Sequence, residues 1–127
     1  MVEYYLEHKA MNPALVDTYA REVAASFSGI AYSQLRKFYD DVKTLERQLT
    51  DDPDKNAFAK VLPLIKLLKA KSAYAYQRSV VPDTFKEWIW DHVNRVNDID
   101  DFRAFVLHFE AVVGFSYKNA KPMGERA

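Results

Sequence analysis

Cysteine is absent from these 127 residues, which excludes disulfides and thiol chemistry and fits a reducing compartment. Glycine is scarce. Its three residues, at 29, 114 and 124, are too scattered to form a phosphate-cradling loop, and with only five prolines they argue against a turn-rich all-β fold. No apolar run approaches the ~20 residues a membrane-spanning helix needs. Met1 to Lys9 carries Glu3, Glu7 and His8 and lacks a signal-peptide core, so a cytoplasmic protein without membrane contact is expected. His8, His92 and His108 lack the i, i+4 spacing of a helical metal pair, and there is no glutamate–x–x–histidine motif and no glycine-flanked serine. The expectation is therefore a non-enzyme with no catalytic residues, no metal and no cofactor.

What is present is apolar and helical. Hydrophobic residues make up 49%, enough for one folded domain with a real core. The formal net charge is zero, but it is unevenly spread. Residues 33–78 hold ten cations against six acids, and residues 79–101 hold two against six. Such a positive centre can steer a polyanion to one face. The plainer alternative is a set of solvated helix faces.

Apolar spacing predicts five helices and no strand. Asn12-Pro13 starts the first, with Leu15, Tyr19, Val23 and Phe27 as its stripe and Gly29 as its C-terminal cap. Ser33 caps the second, whose buried face is Leu35, Phe38, Tyr39, Val42, Leu45 and Leu49. Asp52 and Pro53 open the third, which runs long, with its buried spacing at 58, 61, 62, 65 and 68. Pro63 inside it predicts a kink near Ala59 to Leu62. The fourth spans about Asp83 to Asn97 with Phe85, Trp88, Ile89, His92, Val93 and Val96 inward; His92 is expected to be a packed core histidine. Trp90 points away from that stripe, as a contact surface or a packed edge. Asp98 or Asp100 starts the fifth, carrying Phe102, Phe105, Val106, Phe109, Val112 and Val113. The reading is an all-α, compact single-domain bundle of about five helices over residues 12–119, with an N-terminal arm at 1–11 and a tail at 120–127.

The stretch Lys55 to Arg78 has five lysines, an arginine and no acid. At ~100° per residue, Lys60, Lys71 and Arg78 fall within ~20° of one another, with Lys55, Lys66 and Lys69 roughly opposite. On the second helix Arg36, Lys43 and Arg47 share a face, with Lys37 on its flank. Pairing of Arg36 with Asp40 and Lys37 with Asp41 at i+4 is the structural alternative. Tyr74 falls near Lys71 and Arg78, with a core role expected ahead of a stacking one. Glu110, in a mostly apolar helix, is expected to be a buried acid with a cationic partner.

Three stretches together resemble a known family. They are Tyr32-Ser33-Gln34-Leu35-Arg36-Lys37-Phe38-Tyr39, then Leu62 to Ala75 with Arg78, then Phe102 to Val113 ending Glu110-Ala111-Val112-Val113. In this order and spacing, over roughly residues 15–118, the chain resembles the small subunit of the type III-A CRISPR effector, the Csm complex. The resemblance implies a non-catalytic RNA-binding subunit in antiviral defence. It would stack as a filament beside the guide-bearing backbone subunits and the large subunit, and contact guide RNA and target RNA. Arg36, Lys37, Lys69, Lys71 and Arg78 are the candidate phosphate contacts. Alternatives are a helical protein–protein adaptor without RNA, the small subunit of a type III-B complex, and, behind both, an acid site around Glu110 and His92. Whether the free chain is a monomer or a dimer that exchanges a helix across Ser79–Pro82 stays open.

Overall fold

In the computed structural model, which describes residues 2–117, five α-helices follow one another: α1 (Thr18–Ser26), α2 (Tyr32–Asp51), α3 (Ala57–Gln77), α4 (Asp83–Arg95) and α5 (Ile99–Ser116). Short 3₁₀ turns stand at Glu7–Lys9 and Pro13–Val16. No strand occurs among the described residues, only an isolated antiparallel bridge between Tyr5 and Met11. The all-α bundle expected from periodicity is present. The tail expected at 120–127 lies outside the described residues.

α5 is the central element. Nine of its eighteen residues are buried, including Phe102, Phe105, Phe109 and His108, so it is apolar nearly all round, as a core helix must be. α1, α2 and the Pro13–Val16 turn pack on it, while α3 packs on α4 and along α2. Trp88 of α4 sits inside a ring cage. Phe27, Phe85, Phe105 and Phe109 have their centroids 4.7–5.8 Å away, Phe27 and Phe109 edge-on and the other two tilted.

Two histidines close the polar seam of this core. His108 Nδ1 donates to the Leu15 carbonyl at 2.6 Å while its Nε2 accepts from the Trp88 indole at 3.1 Å, which fixes one neutral tautomer. His92 is buried between the Tyr4 and Tyr19 hydroxyls, at 2.6 and 3.2 Å. It is the packed core histidine that its stripe implies. Tyr4 carries the N-terminal arm with it. Arg95 lies 4.2 Å over the Tyr4 ring and donates to the Val2 carbonyl, and Tyr5 donates to the Asp100 carbonyl. The arm is therefore docked on α4 and the start of α5.

Helix starts differ from the expectation in three places. The first helix is broken: Asn12 caps the Pro13–Val16 turn by accepting from the Ala14 N–H, but Asp17 leaves helical geometry (φ −135°, ψ −104°) before α1 begins. Gly29, at φ 82°, turns the chain beyond α1. Ser33 does not cap α2, which starts a residue earlier behind Ala31 with no side-chain cap. Asp52 and Pro53 do not open α3. Asp52 accepts from the Asp54 N–H and Asp54 from the Asn56 N–H, so consecutive side-chain turns compete with the helix and hold the chain in a loop until Ala57. At α5 the expectation matches: Asp98 caps the helix by accepting from the Asp101 N–H at 2.8 Å.

α3 runs through Pro63 without a break. Pro63 and Ala59 both lie on the exposed side, so the carbonyl that lacks a proline N–H partner can turn to water. Its buried row is Ala57, Val61, Ile65, Leu68, Ser72 and Ala75. Leu64 (45% exposed), Leu67 (46%) and Tyr74 (66%) lie outside.

Candidate nucleic-acid interface

Lys60, Leu64, Leu67, Lys71, Tyr74 and Arg78 recur at steps of three and four along α3, so they form one face. Packing places that face beside α2. Three recesses open in turn along the α2–α3 groove. One is lined by Thr44, Asp51, Lys60 and Leu64, the next by Asp41, Thr44, Leu64, Leu67 and Lys71, and the third by Gln34, Lys37, Asp41, Lys71, Tyr74 and Arg78 over Phe38 and Ala75. The third, of about 230 Å³, is where the cations converge.

Three of the five cations singled out from sequence, Lys37, Lys71 and Arg78, therefore meet in one recess. The other two lie outside it. Arg36, one residue from Lys37, is turned away and lies 5.8 Å from the centre of the Tyr39 ring. Lys69 is on the far side of α3. It donates to Asn94 Oδ1 at 2.8 Å and sits 4.9 Å over the Trp90 ring, whose indole N–H in turn donates to the Lys69 carbonyl. Trp90 is thus partly exposed and tied to α3 at once.

The i+4 pairs do not form. Asp41 bonds instead to Lys71 across the groove, Nζ to Oδ2 at 3.4 Å. Lys43 pairs with Glu46 and Arg47 donates to Thr44. Lys60 is held by both Asp52 and Asp54 at 3.2 and 3.1 Å. The Asp54 N–H, then Lys60, keeps the Asp52 carboxyl below its ordinary range. Tyr74 is at the surface, not in the core, with the Arg78 guanidinium 5.6 Å from its ring centre.

Glu110 is also placed differently from the sequence expectation. It is exposed and accepts from the Tyr39 hydroxyl at 3.3 Å, so no buried ion pair forms. His92 is sealed in the core with both ring nitrogens occupied, so these two residues share no pocket. Among the described residues no cluster of three or more His, Asp or Glu side chains can hold a metal ion. Among the described residues no helix is long and apolar enough to cross a membrane. Sequence reasoning missed Gln34 and Asp41 as groove residues. The spacing of Lys60, Leu64, Leu67, Lys71, Tyr74 and Arg78 was the available signal for the face they line.

The family model described as Csm2 Type III-A matches residues 10–121. The chain belongs to this family. No curated protein and no solved structure matches it. The Csm2 match takes in all five helices and the whole α2–α3 groove, and begins just after the Glu7–Lys9 turn of the arm. As a Csm2 chain it is a small subunit of the type III-A CRISPR effector, the Csm complex.

Proposed function

We propose that this Csm2 chain is a non-catalytic RNA-binding subunit that lies along the guide and target RNA in antiviral defence. The observation that carries this reading is the convergence of Lys37, Lys71 and Arg78 at one end of the α2–α3 groove, on a helix with no acid between Lys55 and Arg78. Arg36 and Lys69 lie outside this recess and add positive charge to other faces of α2 and α3. Such contacts neutralise phosphates without reading bases. That suits an effector in which base pairing carries the sequence specificity.

The whole chain works as one domain in the cytoplasm. Copies stack as a filament beside the backbone and large subunits. The exposed apolar residues Val16, Leu107 and Phe115, away from the groove, support a separate edge for self-association. Tagged chain purified gently from its host and analysed by native mass spectrometry, with and without ribonuclease, tests the reading. A ladder of masses holding a short RNA, larger subunits and several copies of this chain is expected. A clean monomer or dimer with protein partners alone would leave the adaptor reading instead.

A further inference from the structure

We propose that the N-terminal arm is exchanged between copies of this chain, each arm docking in the Tyr4 socket of a second copy through a hinge at residues 7–10. The inference goes beyond RNA binding and requires no RNA.

The socket is built around one side chain. Tyr4 is 5% exposed, with its hydroxyl 2.6 Å from His92 Nδ1 and its ring under the Arg95 guanidinium. Arg95 also donates to the Val2 carbonyl, the Tyr5 hydroxyl to the Asp100 carbonyl and Asn12 Nδ2 to the Glu3 carbonyl. Each of these contacts joins residues 2–5 to Asn12 or to residues far beyond it, so an arm from a second copy makes the same set. The Csm2 match begins at residue 10, and the residues that fill the socket lie outside it.

The two arrangements differ at the connection. Within one chain the arm folds back as a tight hairpin. The Asn12 N–H donates to the Tyr4 carbonyl, the Leu6 N–H donates to the Ala10 carbonyl, and Tyr5 stands opposite Met11. The turn holds His8 and Lys9 at φ 62° and 61°. Two left-handed residues in succession suit Asn-Gly, not His-Lys, whose Cβ atoms crowd the carbonyl oxygens. No burial offsets this, because Glu7, His8, Lys9 and Ala10 are all exposed. Opening the hinge returns both residues to the extended region. The five steps from Leu6 to Met11 then span about 16 Å, enough to reach a copy packed alongside. Exchange keeps the socket contacts and removes the strain, the balance in which a short strained hinge favours swapping.

The chain has no cysteine, so introduced thiols report cleanly. Tyr5 and Met11 form the close type of antiparallel pair, with Cα atoms ~4.5 Å apart and within disulfide range. Full chain carrying Tyr5→Cys and full chain carrying Met11→Cys are unfolded in urea, refolded together at high concentration and oxidised. Mass spectrometry is expected to find linked pairs with one chain of each kind well above pairs of like chains. The Tyr5→Cys/Met11→Cys double variant, oxidised at high dilution, locks the arm on its own body. With its helical circular dichroism unchanged, it should stay monomeric on concentration and self-associate once reduced. Lys9→Gly, which eases the folded-back turn, should weaken self-association roughly tenfold in sedimentation equilibrium. Mixed pairs no more frequent than like pairs overturn the proposal. So does an unlocked chain that is monomeric at every concentration, or a locked chain that associates as the reduced one does. None of these failures touches the RNA-binding reading, which native mass spectrometry with ribonuclease tests separately.

Discussion

Lys71 and Lys69 are two residues apart, yet their surroundings give them different parts. Lys71 faces the groove, with only Asp41 to neutralise it; Lys69 is committed to Asn94 and to the face of Trp90. Replacing Lys71 and Arg78 together by alanine should therefore weaken RNA retention in the assembled complex with the helical circular dichroism unchanged. Retention equal to wild type would remove this groove from the RNA path. His108 sets a second expectation. Burial, the largest cause, and the nearby Arg95 charge push its pKa from 6.5 down to about 4, and burial also holds His92 well below its usual value. The unfolded chain takes up protons that the folded one refuses, so this stability is complete above about pH 6.5 and declines as pH falls toward 4. For His108 alone the loss amounts to roughly 3 kcal/mol over that window. Urea unfolding across the pH range should show the decline, and a His92→Gln/His108→Gln double variant should lack it. A decline that persists in the double variant would belong to the carboxylates.

At the scale of the element, the ends of the helices carry the measurable differences. Asp98 caps α5 through its side chain, and α5 is the helix on which α1 and α2 pack. Asp98→Ala should cost about 1 kcal/mol, read as a lower urea midpoint with an unchanged slope. The arm shows the opposite case. His8 and Lys9 both sit at positive φ, 62° and 61°, where a side chain is strained. Lys9→Gly should stabilise the chain by about 1 kcal/mol, provided the arm stays docked through Tyr4. A fall in stability would show that Lys9 makes contacts worth more than its backbone strain.

Across the whole molecule, charge separation matters more than net charge. Lys37, Lys71 and Arg78 meet in the groove, while α4 and the start of α5 present Asp83, Glu87, Asp91, Asp98 and Asp100 elsewhere. A neutral chain can therefore bind a polyanion on one side, and that binding must be salt-dependent. Each groove cation lost should flatten the slope of log affinity against log salt by about 0.7–0.9, and loss of a core residue should not. Parallel slopes for wild type and the Lys71→Ala/Arg78→Ala variant would mean that those side chains do not meet phosphates.

Much of the architecture was legible in the sequence because helix periodicity is local. Rows such as Leu35, Phe38, Val42, Leu45 and Leu49, or Phe102, Phe105, Phe109 and Val112, repeat every three or four residues and are buried as that spacing requires. The family, too, was legible, because its features are runs of residues in order. The misjudged start of α3 is local as well, but there the Asp52 and Asp54 side chains offer turns and caps from the same atoms, and only competition between them chooses. What the sequence could not determine is which faces meet. Whether Asp41 bonds along its own helix to Lys37 or across to Lys71, whether Tyr74 is core or surface, and whether Glu110 is buried all depend on how α2, α3 and α5 are rotated against one another. That rotation is set by the packing of all five helices at once. It alone gathers Lys37, Lys71 and Arg78 into one groove and leaves Arg36 and Lys69 outside it.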